Sequence, residues 1–463
     1  MKIIPRKIIL KRTRRSINSR NKQKLKRFLI NHINLQLKKE LGNDKSLHNQ
    51  YEKWLPESLQ HIISKIGNKK FDYKNKTVDP KNNYRIFVPQ TFCLVNKPKI
   101  SYDFVYRLLL AIISDFYRQV IIDYSKCKKI ELSAQIFLDI ILKDTIKFLK
   151  RRNKYKSTQS YLMHIEGVNI REENIRKILF SIGSPAVLKK VKFKFEDIIP
   201  YNLCVHNKSI NSIKNKQRKE IDTTELVEHI ITSLNAVGKN LNPTNKDDLC
   251  TVVGEVLINA EEHSTINYRY STGYFQKIKE REDISGIYHL VVMNFGETIY
   301  EKFLSDDCQN FDIISKMKNL SAKYVQRKWF SSNFEEETLW TLYSLQEGIT
   351  SVSTERFRRG NGSIRFIESF FNLKDNANIK DNISKMVIMS GNSKIIFDGT
   401  YKIEEKNISG ENFQVMTFNK SGNIEDKPDK KFVKFVPEYF PGTIFYAKIL
   451  ITQDDITNGT SYN

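Results

Sequence analysis

The chain has 463 residues, 40% of them hydrophobic and 11% aromatic, and carries a formal net charge of +25 at pH 7. That length predicts two or three domains, and that much apolar material excludes an intrinsically disordered chain. No apolar run is long enough to span a membrane, Leu108–Ile113 being typical of the longest, and the basic N-terminus lacks the hydrophobic segment of a secretory signal.

Residues 1–70 are basic and follow a helical pattern, with Leu25, Phe28, Leu29 and Ile33 at helical spacing. The first 28 residues hold no acid, and Arg12, Arg14, Arg15, Lys24, Lys26 and Arg27 among them are candidate contacts to a polyanion such as nucleic acid. A solvated tail fits the same residues. Across the whole chain Lys far outnumbers Arg, in the company of much Asn and Ile, which favours a compositional origin for the excess charge over a set of bidentate base contacts.

A polar stretch, Asp72–Tyr84, ends this region. Residues 85–205 then alternate: a strand at Arg85–Val88, a helix through Phe104–Tyr117, a strand at Gln119–Asp123, a helix over Ser133–Leu149, a further helix, and a strand at Val191–Phe195. Such alternation predicts an α/β domain. Residues 206–221 are polar and aperiodic and read as a linker. A second α/β unit over 222–451 ends in the strand Thr443–Ile451. Five scattered cysteines (Cys93, Cys127, Cys204, Cys250 and Cys308), without a CxxC pair, read as reduced thiols in a cytoplasmic protein.

The second unit carries the chemistry. Leu249, Val252, Val253, Val256, Leu257 and Ala260 recur at helical spacing and predict a helix with one buried face. Glu255, Asn259 and His263 fall on another face at successive i+4 positions. A carboxylate one turn from a carboxamide places a general base beside an oxygen ligand for Mg²⁺. A solvated polar face fits the same stripe. The apolar strand Ile287–Met293 stops at Asn294-Phe295-Gly296, a polar group and a glycine turn suited to a base edge. Gly360-Asn361-Gly362-Ser363 opens a further helical pattern, where backbone N–H groups approach phosphates. Two short strands, Met386–Ser390 and Lys394–Phe397, precede Gly442-Thr443 at the start of the last strand.

Taken in this order, the four elements resemble the GHKL (Bergerat) superfamily of ATP-binding domains, most closely its anti-sigma-factor kinase branch, over roughly half the chain. The resemblance implies a two-layer α/β sandwich over 222–451 that binds ATP and Mg²⁺. It implies Glu255 as the base, Asn259 as the Mg²⁺ ligand and His263 beside it. Asn294 and Gly296 would lie at adenine, Gly360, Gly362 and Ser363 at the phosphates, Gly442 and Thr443 near the base, and residues 300–359 would form a lid. The family usually has Asp where this chain has Asn294, which removes the negative charge from that contact.

In the first domain the strand ending at Asp123, the following loop and Ser133 resemble the STAS domains of anti-sigma-factor antagonists, with Ser133 at the place of the phospho-acceptor. The Ser-Gly pair expected there is missing, and Ser133 also reads as a simple helix cap. The expectation is thus an α/β (α+β) protein with a basic helical N-terminal region, a STAS-like domain and a Bergerat domain. Three functions fit it. One is a regulatory ATPase whose nucleotide state gates a protein partner, a second an anti-sigma-type Ser/Thr kinase, and a third a nucleic-acid-directed ATPase. A homo-oligomer is compatible with each.

Overall fold

The structure is a computed structural model and describes residues 55–66, 76–81, 83–114, 117–153, 163–184, 195–209, 213–262, 264–280, 283–306, 308, 310–325, 334–346, 364, 367–368, 383–408 and 411–452. They belong to two compact units. The first reaches to Arg176, and the second takes Lys177–Ser184 and the chain from Val191 onward. The class is mixed α/β, with a largely parallel sheet in the first unit and an antiparallel one in the second. No helix among the described residues is long and apolar enough to cross a membrane.

The first unit begins with α1 (Glu57–Ile66), which buries Leu59, Ile62, Ile63 and Ile66 along one side. A hairpin of β1 (Lys76–Val78) and β2 (Asn83–Phe87) follows, then the two-residue β3 (Thr91–Phe92) and α2 (Pro98–Ser114). β4 (Gln119–Asp123) lies parallel to β2, and β5 (Lys129–Ile130) parallel to β3. α3 (Leu132–Asn153) crosses over to β6 (His164–Val168), which pairs parallel with β4. The sheet order is β1-β2-β4-β6. Val120, Ile121 and Ile122 of β4 are all buried, as a parallel strand covered on both faces requires. The chain leaves this unit within α4 (Glu173–Ser181).

The second unit opens with β7 (Ile198–Asn207), which pairs antiparallel with β8 (Tyr268–Glu280). Between them lie α5 (Ile213–Asn235) and α6 (Pro243–Glu262). β9 (Asp283–Phe295) follows, then three helices, α7 (Ile299–Leu304), α8 (Phe311–Val325) and α9 (Glu336–Tyr343). β10 (Lys385–Phe397), a separate hairpin of β11 (Glu404–Ile408) and β12 (Glu411–Val415), and the long β13 (Val433–Ile451) complete it. The sheet order is β10-β13-β9-β8-β7. Tyr288, Leu290 and Val292 on one face of β9 share a core with Leu226 and Ile230 of α5 and Val253 and Leu257 of α6. Val291, Met293 and Phe295 on its other face are equally buried, which is why the strand reads as an unbroken apolar run.

Three expectations are corrected by these elements. Residues 206–221 are not a linker: they take in the end of β7 and the first turns of α5, and β7 belongs to the second unit's sheet rather than to a domain ending at 205. Met386–Ser390 and Lys394–Phe397 are one strand, β10, bent at Gly391, where the register with β13 shifts. The first part of the expected lid is no free flap. Phe303, Met317, Leu339, Trp340 and Tyr343 are buried in the main core, and the Trp340 indole N–H donates to Ser321 at 3.2 Å. Residues 307, 309, 326–333 and 347–359 of that lid lie outside the described residues.

Candidate functional site

The site lies where α6, β9 and β13 meet. α6 starts at Pro243, a residue suited to a first helical turn, and sends Leu249, Val253 and Leu257 into the core. Asn259 and Ala260 sit near its C-terminal end, facing a cleft. The end itself is held from below: the Lys208 ammonium donates to the Glu261 and Ser264 carbonyls, and the Ser264 hydroxyl donates to the Phe295 carbonyl at 2.7 Å. The bond to Glu261 occupies one of the carbonyls that a helix C-terminus leaves without an i+4 partner.

β9 reaches the cleft at Asn294, which pairs across the sheet with Thr443 of β13. The Asn294 side chain is 1% exposed, and its amide joins all three elements. Nδ2 donates to the Ala260 carbonyl of α6 at 2.5 Å, and Oδ1 accepts from the Thr443 backbone N–H at 3.0 Å. Two glycines permit this close approach. Gly442 has φ +151°, and a Cβ there would collide with the Asn294 carbonyl; Gly296 has φ +129°, and a Cβ there would come within 2.7 Å of the Thr265 backbone nitrogen. The Thr443 hydroxyl shares a hydrogen bond of 2.9 Å with Ser390 of β10, which in turn accepts from the Ile299 N–H at the start of α7.

The resulting cleft is small, about 80 Å³, and opens to solvent. Among the described residues, Asn259, Asn294 and Thr443 are its polar side chains, and Val256, Val292, Ile388 and Phe445 are among its apolar walls. An apolar wall with a few convergent polar groups is the usual character of small-molecule sites. Glu255 does not line the cleft. It is half-buried one turn before Asn259, and its Oε2 is shielded from solvent with no hydrogen-bond partner among the described residues. The Asn259 amide oxygen suits a hard cation that keeps most of its waters and bridges phosphates. Cys204, Asp222 and Glu225 also stand within metal-ligand reach of one another, but Asp222 already holds Arg269.

That pair forms a buried charged layer next to the site. Arg269 lies opposite Asn294 in the sheet, and its guanidinium meets Asp222 of α5 at 2.9 Å, both side chains at most 1% exposed. His206 stands 3.6 Å from Asp222 and 3.7 Å from Glu261 in the last turn of α6.

Of the residues singled out in the sequence, the fold brings Asn259, Asn294 and Thr443 to one cleft, with Gly296 and Gly442 supporting its floor. His263, Gly360, Gly362, Ser363 and the basic residues Arg12, Arg14, Arg15, Lys24, Lys26 and Arg27 lie outside the described residues. Ser390 and the charged pair went unread. A hydroxyl ending the apolar run before Gly391 was a signal for the first. Nothing local marks Asp222 as the partner of Arg269.

Ser133 is not the residue that caps α3. The Ala134 and Gln135 N–H groups both donate to the Glu131 carbonyl, so Glu131 stands at the helix start. Ser133 is fully buried, and its hydroxyl donates to Glu131 Oε2 at 2.8 Å. The Cys93 thiol donates to the same oxygen at 3.1 Å, and burial, reinforced by the Glu131 charge, pushes that thiol up to about 12. A group enclosed in this way is not presented to a kinase.

No family model matches the chain, and neither does any curated protein or any solved structure.

Proposed function

We propose that the second unit binds ATP with Mg²⁺ as a GHKL-type domain, and that the protein is a regulatory ATPase whose nucleotide state governs how its N-terminal half engages a protein partner. The observation that carries this reading is the convergence of Asn259, Asn294 and Thr443 on one cleft, from three separate elements of the chain. Each was singled out for a role at the same ligand. In this reading the purine lies against Val256, Val292 and Phe445, between Asn294 and Thr443. Asn259 holds Mg²⁺, which neutralises phosphate charge when bound. Glu255, with a shielded oxygen that no described residue engages, is the base that draws a proton from the attacking water. The five cysteines, none of them in a disulfide, accord with a reducing, cytoplasmic setting. The burial of Ser133 weighs against the kinase alternative acting in cis.

Calorimetric titration with ATP, with and without Mg²⁺, tests the reading. Wild-type protein is expected to bind in the micromolar range or tighter, and Asn259→Ala to lose the Mg²⁺-dependent part. Equal binding of Mg-ATP by wild type and Asn259→Ala would remove Asn259 from the site, and no binding by the wild type would end the proposal.

A further inference from the structure

The polar lining of the cleft bears on which base it takes, and the following rests on the nucleotide reading above. Among the described residues, Asn259, Asn294 and Thr443 are its polar side chains. Two are carboxamides and one is a hydroxyl, so each both donates and accepts hydrogen bonds. None is a carboxylate, which would only accept.

The orientation of the Asn294 amide is set by its partners. The Ala260 carbonyl only accepts and the Thr443 backbone N–H only donates, so the nitrogen must face α6 and the oxygen β13; a flipped amide would lose both bonds. A carboxylate in this position would set an oxygen 2.5 Å from the Ala260 carbonyl oxygen, with no proton between them. The join between α6 and β9 is thus made by an amide N–H. Each amide atom uses half of its capacity on the backbone, leaving one N–H donor and one oxygen lone pair. The Thr443 hydroxyl is adaptable as well: its partner Ser390 already accepts from Ile299, and the proton between the two hydroxyls can lie on either oxygen.

We infer that the cleft accepts 6-oxo purine nucleotides about as readily as 6-amino ones, with Asn294 as the residue that sets this tolerance. A base presenting an amino group at C6 donates to the free lone pair of Asn294 Oδ1 or to Thr443 Oγ1. A base presenting a carbonyl there accepts from the second N–H of Asn294 or from the Thr443 hydroxyl. Neither leaves a buried acceptor facing an acceptor, which is the arrangement that yields discrimination of 10⁴ or more at polar sites. The ligand class is therefore purine nucleoside triphosphates, without a requirement for adenine.

Titration of the full-length protein with Mg-ATP and with Mg-inosine triphosphate, which differs from ATP only by the C6 carbonyl and the N1 proton, decides the matter. The two dissociation constants are expected within tenfold of each other. A preference for ATP above tenfold overturns this inference while leaving the nucleotide reading intact. Binding of neither nucleotide overturns both. Asn294→Asp is expected to shift the ratio toward ATP by tenfold or more, since its carboxylate only accepts. An unchanged ratio in a folded variant would take the tolerance away from Asn294. Where that variant does not fold, the wild-type comparison alone decides.

Discussion

Asp123 and Asn294 are short polar residues at or next to the end of a strand, and they differ in how much of the group the fold consumes. Asp123 closes β4 in the first unit. Its carboxylate accepts from the Arg85 guanidinium at 2.5 Å, from Asn169 Nδ2 at 3.0 Å to both oxygens, and from the Ser125 N–H at 2.9 Å. Burial works against the charge, yet the donors from Asn169, Ser125 and Arg85 outweigh it and hold the carboxyl below its usual range. It clamps β2, β4 and the turn after β6 together. Asn294, next to the end of β9, makes one bond to a helix and one to a strand, and keeps a donor and an acceptor beside a cleft. A polar residue at a strand end is therefore ambiguous in sequence. Its unspent hydrogen-bonding capacity, together with a space to spend it in, separates a clamp from a site.

The sharpest way to break this distinction is at the buried charged pair beside the cleft. Removing Arg269 by Arg269→Ala leaves Asp222 as a buried charge without its partner. The expected loss is about 3–5 kcal/mol in denaturant unfolding, because breaking a buried pair strands the other ion. A loss below about 1 kcal/mol would show that the layer beside the cleft is not a clamp. Asp123→Ala is expected to cost less, about 2–3 kcal/mol, since Arg85 is partly exposed and returns to water while Asn169 and Ser125 lose a charged acceptor. It should leave nucleotide affinity unchanged, and a tenfold fall in affinity for a variant that is still folded would contradict the division between clamp and site.

His289 extends the comparison to pH. It is buried on β9, stacked on Tyr274 at 4.4 Å, with the Tyr446 hydroxyl 3.5 Å from Nδ1. Burial first, then the charges of Lys448 and Lys385, push its pKa down to about 3. The unfolded chain takes up this proton near pH 6.5 and the folded one does not, so stability falls as pH drops from about 6.5 to about 3. The slope from this group is at most about 1.4 kcal/mol per pH unit. His289→Phe should flatten the slope by that amount in urea titrations between pH 6.5 and pH 4.5. Parallel slopes for wild type and variant would mean that the imidazole charges in place.

Much of this arrangement is written in local pattern. The run from Gln119 to Asp123 forms β4 with those bounds, and Val252, Val253, Val256 and Leu257 face the core or the cleft because a 3.6-residue period leaves them no other side. The apolar run Ile287–Met293 marked the middle of β9, which extends from Asp283 to Phe295. What escaped were features fixed by distant partners. β7 carries a proline and shows no regular alternation of buried and exposed residues, and only its pairing with β8 makes it a strand of the second sheet rather than the edge of a linker. Ser133 looks like a helix start until Glu131 and Cys93, the latter from a separate loop, close around it. Arg269 and Asp222 find one another across a fold whose geometry no local window contains.

The smallest expected effect concerns Glu255, the reverse of a clamp. Its Oε2 is shielded from water and meets no hydrogen-bond partner among the described residues, so the fold gains nothing from that oxygen and bears some of its desolvation. Polar groups kept in that condition are those that a bound ligand or water completes, and stability is given up where activity requires it. Glu255→Gln keeps the shape and an acceptor but removes the charge and the basicity. The variant should unfold at the same denaturant concentration as wild type or slightly higher, by at most about 1 kcal/mol. ATP affinity should be retained while hydrolysis falls by two orders of magnitude or more, because a base acts in the transition state rather than on ground-state binding. A variant that loses stability and affinity together, with turnover per bound nucleotide unchanged, would make Glu255 a structural residue and would leave the cleft a binding site without a base.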